Sequence, residues 1–295
     1  MNTIKFIAAC VLLTGTTSLF GQQIEVMDDA GTRIRLAQSA RRIITLAPNL
    51  AELVYAAGAG EQLVAVGRYS DYPAAVKKLP LVGDAFALNL ERIAALKPDL
   101  VLVWHSGTPE RQRNALKALA LRRGFAVFES EIRSVEDIAT SLERIGQLSA
   151  MPTVATAQAT TLRAQWQALS AQYANAAPVR VFYQVWGAPL MTFNGQHIVS
   201  QAIRMCGGVQ GFDALTALTP TVGREAVLAF NPQTILGGGE ADNRLSAWSR
   251  FPKIAAVRNA QLHTVDAALL TRMGPRFVQA ASALCSTMAQ ARNAR

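Results

Sequence analysis

A chain of 295 residues with 51% hydrophobic and 17% charged residues can fill one large core or two ordinary ones, which excludes a disordered chain and a coiled coil. With Gly at 20 and Pro at 12, no collagen-like or low-complexity tract is present. The formal charge of +9 is spread along the chain as single or paired basic residues, such as Arg41-Arg42, Lys77-Lys78 and Arg122-Arg123, with no interleaved aromatics; it reads as a solvated basic surface rather than a nucleic-acid groove.

The chain opens with one basic residue, Lys5, the apolar run Phe6 to Leu13, and a small polar stretch to Gly21, and the first acid is Glu25. This layout predicts a cleavable export signal over residues 1–21. The eight-residue run is too short for an anchor, which needs about 20 apolar residues. Cys10 lies too early in the run to mark a lipoprotein cleavage box. Export leaves Cys206 and Cys285 in an oxidising compartment, where an even count permits one disulfide; two buried free thiols are the alternative.

A hairpin-like lead (Ile24 to Val26, Arg33 to Leu36) precedes apolar runs at Ile43–Leu46, Leu63–Val66, Leu100–Trp104 and Phe125–Phe128, separated by helix-sized intervals. Runs of this kind suit strands buried on both faces of a parallel sheet. The pattern resumes at Val179–Tyr183, Thr234–Leu236 and Gln261–Val265, so two α/β lobes are expected. Between them, residues 151–175 lack Gly, carry Pro152 at the start, and place Leu162, Trp166, Leu169 and Tyr173 on one helical face. The expected division is a signal over 1–21, a first lobe over 22–150, a stiff connecting helix over 151–175 and a second lobe over 176–295. A helical strut implies small hinge movements.

The lobes share a repeat. Glu91 stands seven positions before Pro98 and Glu225 seven before Pro232, and the two glutamates and the two prolines are each 134 positions apart. Each copy reads as a short helix with an acid in its first turn, stopped near the proline and followed by a strand.

No nucleophile elbow, paired metal-binding histidines, phosphate loop or dinucleotide fingerprint occurs, and His105, His197 and His263 are far apart, with convergence on zinc as the alternative. Gly237-Gly238-Gly239 before Glu240 reads as a loop at a strand end. Aromatics instead gather where open α/β sheets bind ligands, beyond strand carboxyl ends: Tyr69-Ser70-Asp71-Tyr72-Pro73, Phe86, Trp104 and Trp186. Rings without acid-base pairs imply stacking on a large flat or apolar body rather than bond cleavage. Core burial is the alternative for the two tryptophans.

Through Tyr69-Ser70-Asp71-Tyr72-Pro73, Asn89 to Leu100 and Cys206-Gly207-Gly208, the chain resembles the periplasmic cobalamin-binding proteins of ABC vitamin importers, within the wider class that also binds ferric siderophores and haem. The likeness runs from about Arg41 to Arg292. It implies a class III periplasmic-binding architecture, with two mainly parallel sheets flanked by helices and joined by one long helix. It further implies a non-enzymatic periplasmic carrier, monomeric when free, with cobalamin as transported ligand and no catalytic cofactor. By position, Tyr69, Asp71, Tyr72, Phe86, Trp104, Trp186 and Arg272 would meet the corrinoid. Glu91 and Glu225 would dock on the permease dimer, and Cys206 would pair with Cys285. The family tryptophan beside Phe86 falls here on Ala85, a second on Thr219, and an acid before Arg272 moves to Asp266. Haem or a ferric siderophore is the rival cargo, with Tyr69, Tyr72 or His105 as iron ligand. A zinc-binding protein or enzyme on the same scaffold is the remoter rival.

Overall fold

The computed structural model describes residues 23–238 and 245–293; the expected export signal over 1–21, Gly239 and Glu240 lie outside the described residues. In the first half, β1 (Ile24–Met27) and β2 (Arg33–Leu36) form the expected hairpin, followed by β3 (Ile43–Thr45), α1 (Pro48–Ala56), β4 (Leu63–Val66), α2 (Leu90–Ala95), β5 (Leu100–Trp104), α3 (Glu110–Arg123), β6 (Ala126–Ser130) and α4 (Val135–Leu148). The long α5 (Pro152–Tyr173) leads to β7 (Val179–Gln184), β8 (Trp186–Gly187), β9 (Leu190–Met191), α6 (Ile198–Met205), β10 (Gly208–Val209), α7 (Arg224–Phe230), β11 (Thr234–Gly238), α8 (Ala255–Arg258), β12 (Leu262–Val265), α9 (Ala267–Thr271) and α10 (Phe277–Asn293).

Two parallel four-stranded sheets result, in the orders β4-β3-β5-β6 and β10-β7-β11-β12. They are the same sheet twice: the inner strand β3 pairs with β5 as β7 pairs with β11. Leu100 to Val103 are fully buried, which is why β5 reads as an unbroken apolar run instead of alternating. The free edge of β6 is covered by the hairpin turn. Asp29 N–H donates to Glu129 O, and the Asp28 and Asp29 carboxylates accept from Glu129 and Glu131 N–H.

Local signals set the helix ends. Ser134 and Asp137 form a reciprocal capping box on α4, and α3 stops at Gly124, whose φ of 76° is left-handed. One hydrophobic cluster runs unbroken from α1 and α4 of the first lobe through α5 to α6 and α10 of the second. The strut is thus embedded in a core common to both lobes. Cys206 and Cys285 form a disulfide between the end of α6 and α10. At a sequence separation of 79, chain-entropy reasoning gives about 4–5 kcal/mol of stabilisation.

The glycine run departs from its sequence reading. Gly237 and Gly238 are strand residues of β11, paired with Thr264 and Val265, and not a loop. A Cβ on Gly238 would lie 2.0 Å from that of Ala267, so close packing of α9 on the strand accounts for the glycine. Phe125 also falls just outside β6, which begins at Ala126.

Candidate functional site

Both sheets turn their carboxyl ends toward the segments that carry the exposed rings. After β4 the backbone passes tightly over β3, where Gly67 N–H donates to Thr45 O at 2.7 Å and a Cβ on Gly67 would meet Leu46 O at 2.7 Å. The Tyr69–Pro73 turn follows, with Tyr69 at φ 70°, 72% exposed, and a cis peptide at Tyr72-Pro73. A left-handed tyrosine whose ring meets solvent is a constrained surface position and not a core one. Phe86, 77% exposed, stands on a turn held by Asp84, whose Oδ1 accepts from Phe86 and Ala87 N–H. Trp104 is half-buried against the core, its ring so close to Gly107 that a Cβ there would lie 2.0 Å away.

From the second lobe, Trp186 on β8 is 48% exposed, its indole N–H donating to Ala188 O. It borders a cavity of about 400 Å³ with Gln184, Gly187, Ala188, Arg224 and Trp248. The floor is fixed by Trp248 Nε1, which donates to Gln184 Oε1 at 2.7 Å.

A polar bridge that the sequence reading missed spans the lobes beside these rings. Arg276, just before α10, donates from Nε and Nη2 to both oxygens of Glu52 on α1, at 2.9 and 2.5 Å, and its guanidinium lies 3.7 Å from the Tyr72 ring centroid. Arg272 donates to both oxygens of Asp71 and stands 3.5 Å from Glu52. The hydrogen bond from Arg272 holds the Asp71 carboxyl below the usual carboxylate range. Arg272 is therefore engaged by two first-lobe acids at the rim, and Asp71 and Tyr72 are tied to the second lobe. Glu52 carried a visible signal, a lone carboxylate inside the apolar run Leu50-Ala51-Glu52-Leu53-Val54.

The three histidines occupy separate places, and no group of three or more His, Cys, Asp or Glu arranged for a metal occurs among the described residues. His263 on β12 bonds Gln261. His105 bonds the buried Glu129, which Arg113 and Lys117 also contact. Burial opposes the charge on Glu129, but hydrogen bonds from Lys117, His105 and Arg113 prevail and bring its pKa down to about 2. His197 stacks on Phe193 with centroids 3.6 Å apart and caps α6, its Nδ1 accepting from Val199 N–H; burial lowers its pKa to about 4.

These two shifts act in sequence on acid stability. Each folded-state pKa lies below its unfolded value, so each contribution is complete above the unfolded pKa and is lost as pH falls toward the folded one. The His197 contribution, about 3 kcal/mol, disappears between pH 6.5 and about 4, and that of Glu129 between 4.5 and about 2. In urea melts across pH, His197→Asn, which keeps an acceptor for the cap, flattens the stability slope between pH 6.5 and 4. An unchanged slope would refute the assignment.

Glu91 and Glu225 are exposed in the first turns of α2 and α7. Each helix runs back to the start of an inner strand, so its first turn lies toward the strand carboxyl ends of its own lobe. Lys97 and Asn231, each just before the proline, both take left-handed φ, 44° and 48°.

A family model described as periplasmic binding protein matches residues 43–269. A vitamin B12-binding protein of Vibrio vulnificus (strain CMCP6) is 36% identical over 249 residues, covering 84% of this chain and 90% of that protein. Among solved structures, the periplasmic vitamin B12 binding protein BtuF of Vibrio cholerae is similar at TM-score 0.77 and 35% identity, covering 86% of this chain and 98% of the other. The periplasmic heme-binding protein BhuT in complex with two hemes is similar at TM-score 0.74 and 26% identity, covering 86% and 99%.

Proposed function

Because the chain belongs to the periplasmic binding protein family, we propose that its interlobe cleft captures cobalamin or a related corrinoid and delivers it to the permease of an ABC importer. The observation that carries this reading is the left-handed, solvent-facing Tyr69 on a turn whose Asp71 and Tyr72 are fastened to Arg272 and Arg276 of the second lobe. Tyr69, Phe86 and Trp186 supply exposed rings for the faces and edges of a corrin, with Trp104 behind them. Each well-placed ring adds about 0.5–1.5 kcal/mol beyond its area burial. The cavity beside Trp186 offers room for a peripheral group of the cargo, with Arg224 as its cation. The protein acts as a carrier, exported with removal of residues 1–21, with lobes at 22–150 and 176–295 about the 151–175 helix. Glu91 and Glu225 meet cationic pockets on the two halves of the permease.

The rival cargo has fewer groups to offer. Of the three residues that could ligate iron, His105 is bonded to Glu129 and Tyr72 lies against Arg276, which leaves Tyr69. Titration of the purified protein with cyanocobalamin, haemin and a ferric siderophore, followed by absorbance and calorimetry, tests the choice. Corrinoid binding is expected at nanomolar Kd, about −12 kcal/mol. Tight haemin binding without corrinoid binding overturns it.

A further inference from the structure

The helices that carry Glu91 and Glu225 are short, six and seven residues, and each ends at a left-handed residue and a proline that break the backbone path to the next strand. Their buried residues Ile93 and Val227 pack on the sheets, and side chains from the inner strands add a tie at their carboxyl ends. In the first lobe Arg42, immediately before β3, donates from Nε and Nη2 to Leu96 O at 3.0 and 2.7 Å and from Nε to Lys97 O at 3.2 Å. In the second, Arg180 at the start of β7 donates from Nε to Asn231 O at 2.9 Å. The two arginines occupy the same register position. Each precedes the residue that pairs with the start of the following strand, Ile43 with Leu100 and Val181 with Thr234. Their own backbones are fixed in matching fashion, Arg42 N–H donating to the Asp99 carboxylate and Arg180 N–H to Gln233 Oε1. Asp99 and Gln233 both directly follow the repeat proline.

A cation at a helix carboxyl end is favourable in itself, through the exposed carbonyls and the helix dipole. A general capping preference, however, does not require the arginine to come from an inner strand, nor from the same register in both lobes. With the helix stopped at the proline, this tie helps to fix the tilt of a short helix whose far end presents the acid. We infer that Arg42 and Arg180 are positioning residues for permease docking, each aiming the glutamate of its lobe through the helix it fastens; this rests on the docking reading above. Arg42, with three hydrogen bonds to Arg180's one, carries the larger share.

The test measures affinity of the cargo-loaded protein for the importer of the same organism in nanodiscs, with cyanocobalamin affinity and urea stability in parallel. Arg42→Ala weakens permease binding about tenfold and Arg180→Ala about threefold, the equivalent of one or two hydrogen bonds, with cargo affinity unchanged. The discriminating measurement is the cycle with Glu91→Ala. A positioning residue adds almost nothing once the acid it aims is gone, whereas a merely structural one adds its full loss. Arg42→Lys, which keeps the charge and one donor, recovers part of the affinity and serves if the alanine variant folds poorly. If Glu91→Ala leaves permease binding intact, the docking reading falls. If Glu91→Ala weakens it while Arg42→Ala does not, or the two losses add, the positioning role alone is overturned.

Discussion

Combined reversal of Glu91 and Glu225 to lysine is expected to abolish corrinoid uptake while leaving cargo affinity within about twofold of the parent. Both acids are exposed, and neither takes part in the ion pairs of the described residues, so little within the fold depends on their charge. The intramolecular cost is the helix-end interaction, about 0.3–1 kcal/mol at each site. On the proposed docking the cost at the membrane is of another order, because two cations replace two anions against cationic pockets, and like charges in register suppress association by on the order of a hundredfold or more. A single reversal leaves one lobe able to dock and gives an intermediate loss. Uptake of labelled cyanocobalamin into proteoliposomes, with calorimetric Kd on the same preparations, separates the two effects. Surviving uptake with collapsed affinity would place the two acids at the cargo and not at the gate.

That these helices could be found from sequence at all follows from how the fold repeats. A helix that must stop and feed a buried strand needs an abrupt end, and Lys97-Pro98 and Asn231-Pro232 supply it with residues visible in one dimension. The strands were legible for a related reason, since β5 is buried on both faces and so reads as an apolar run. Where strands are two residues long, as in β8, β9 and β10, no run exists to read. Where a strand carries Gly237 and Gly238, local propensity points to a loop, and only the packing of Ala267 explains the sequence.

The candidate cleft divides along the same line. Tyr69, Trp104 and Trp186 stand at or just beyond the ends of β4, β5 and β7, where topology led the sequence reading to expect rings, whereas Phe86 stands on a separate turn. The bridge beside them could not be placed in this way, because Asp71 meets Arg272 across 201 residues and Glu52 meets Arg276 across 224. No periodicity encodes a pairing at such separations. What the sequence does hold is an anomaly, one carboxylate in an apolar helix, and Glu129 is a second, in the strand Ala126-Val127-Phe128-Glu129-Ser130. Each buried acid resolves into arginine or lysine partners in three dimensions.

The Glu52–Arg276 pair carries the other large expected effect. The Glu52 side chain is 2% exposed, so Arg276→Met leaves a buried carboxylate with only the longer 3.5 Å approach of Arg272, and stability is expected to fall by about 3–5 kcal/mol in urea melts. The double variant Glu52→Leu/Arg276→Met removes both charges at similar volume, and Arg272 keeps Asp71 as its partner. Most of the lost stability should return, because paired removal avoids the unpaired charge. Cargo affinity should not return. Arg276 also underlies the Tyr72 ring at 3.7 Å, so without it Tyr72 loses its contact with the second lobe and the Tyr69–Pro73 turn is held there through Asp71 and Arg272 alone. Stability and affinity therefore separate in the double variant, recovered in the one and weakened about threefold to tenfold in the other, as expected for the loss of a cation–ring contact with the preorganisation it provides. Recovery of both would reduce the bridge to a contribution to folding, and a single variant as stable as the parent would show that Arg272 alone suffices to hold Glu52.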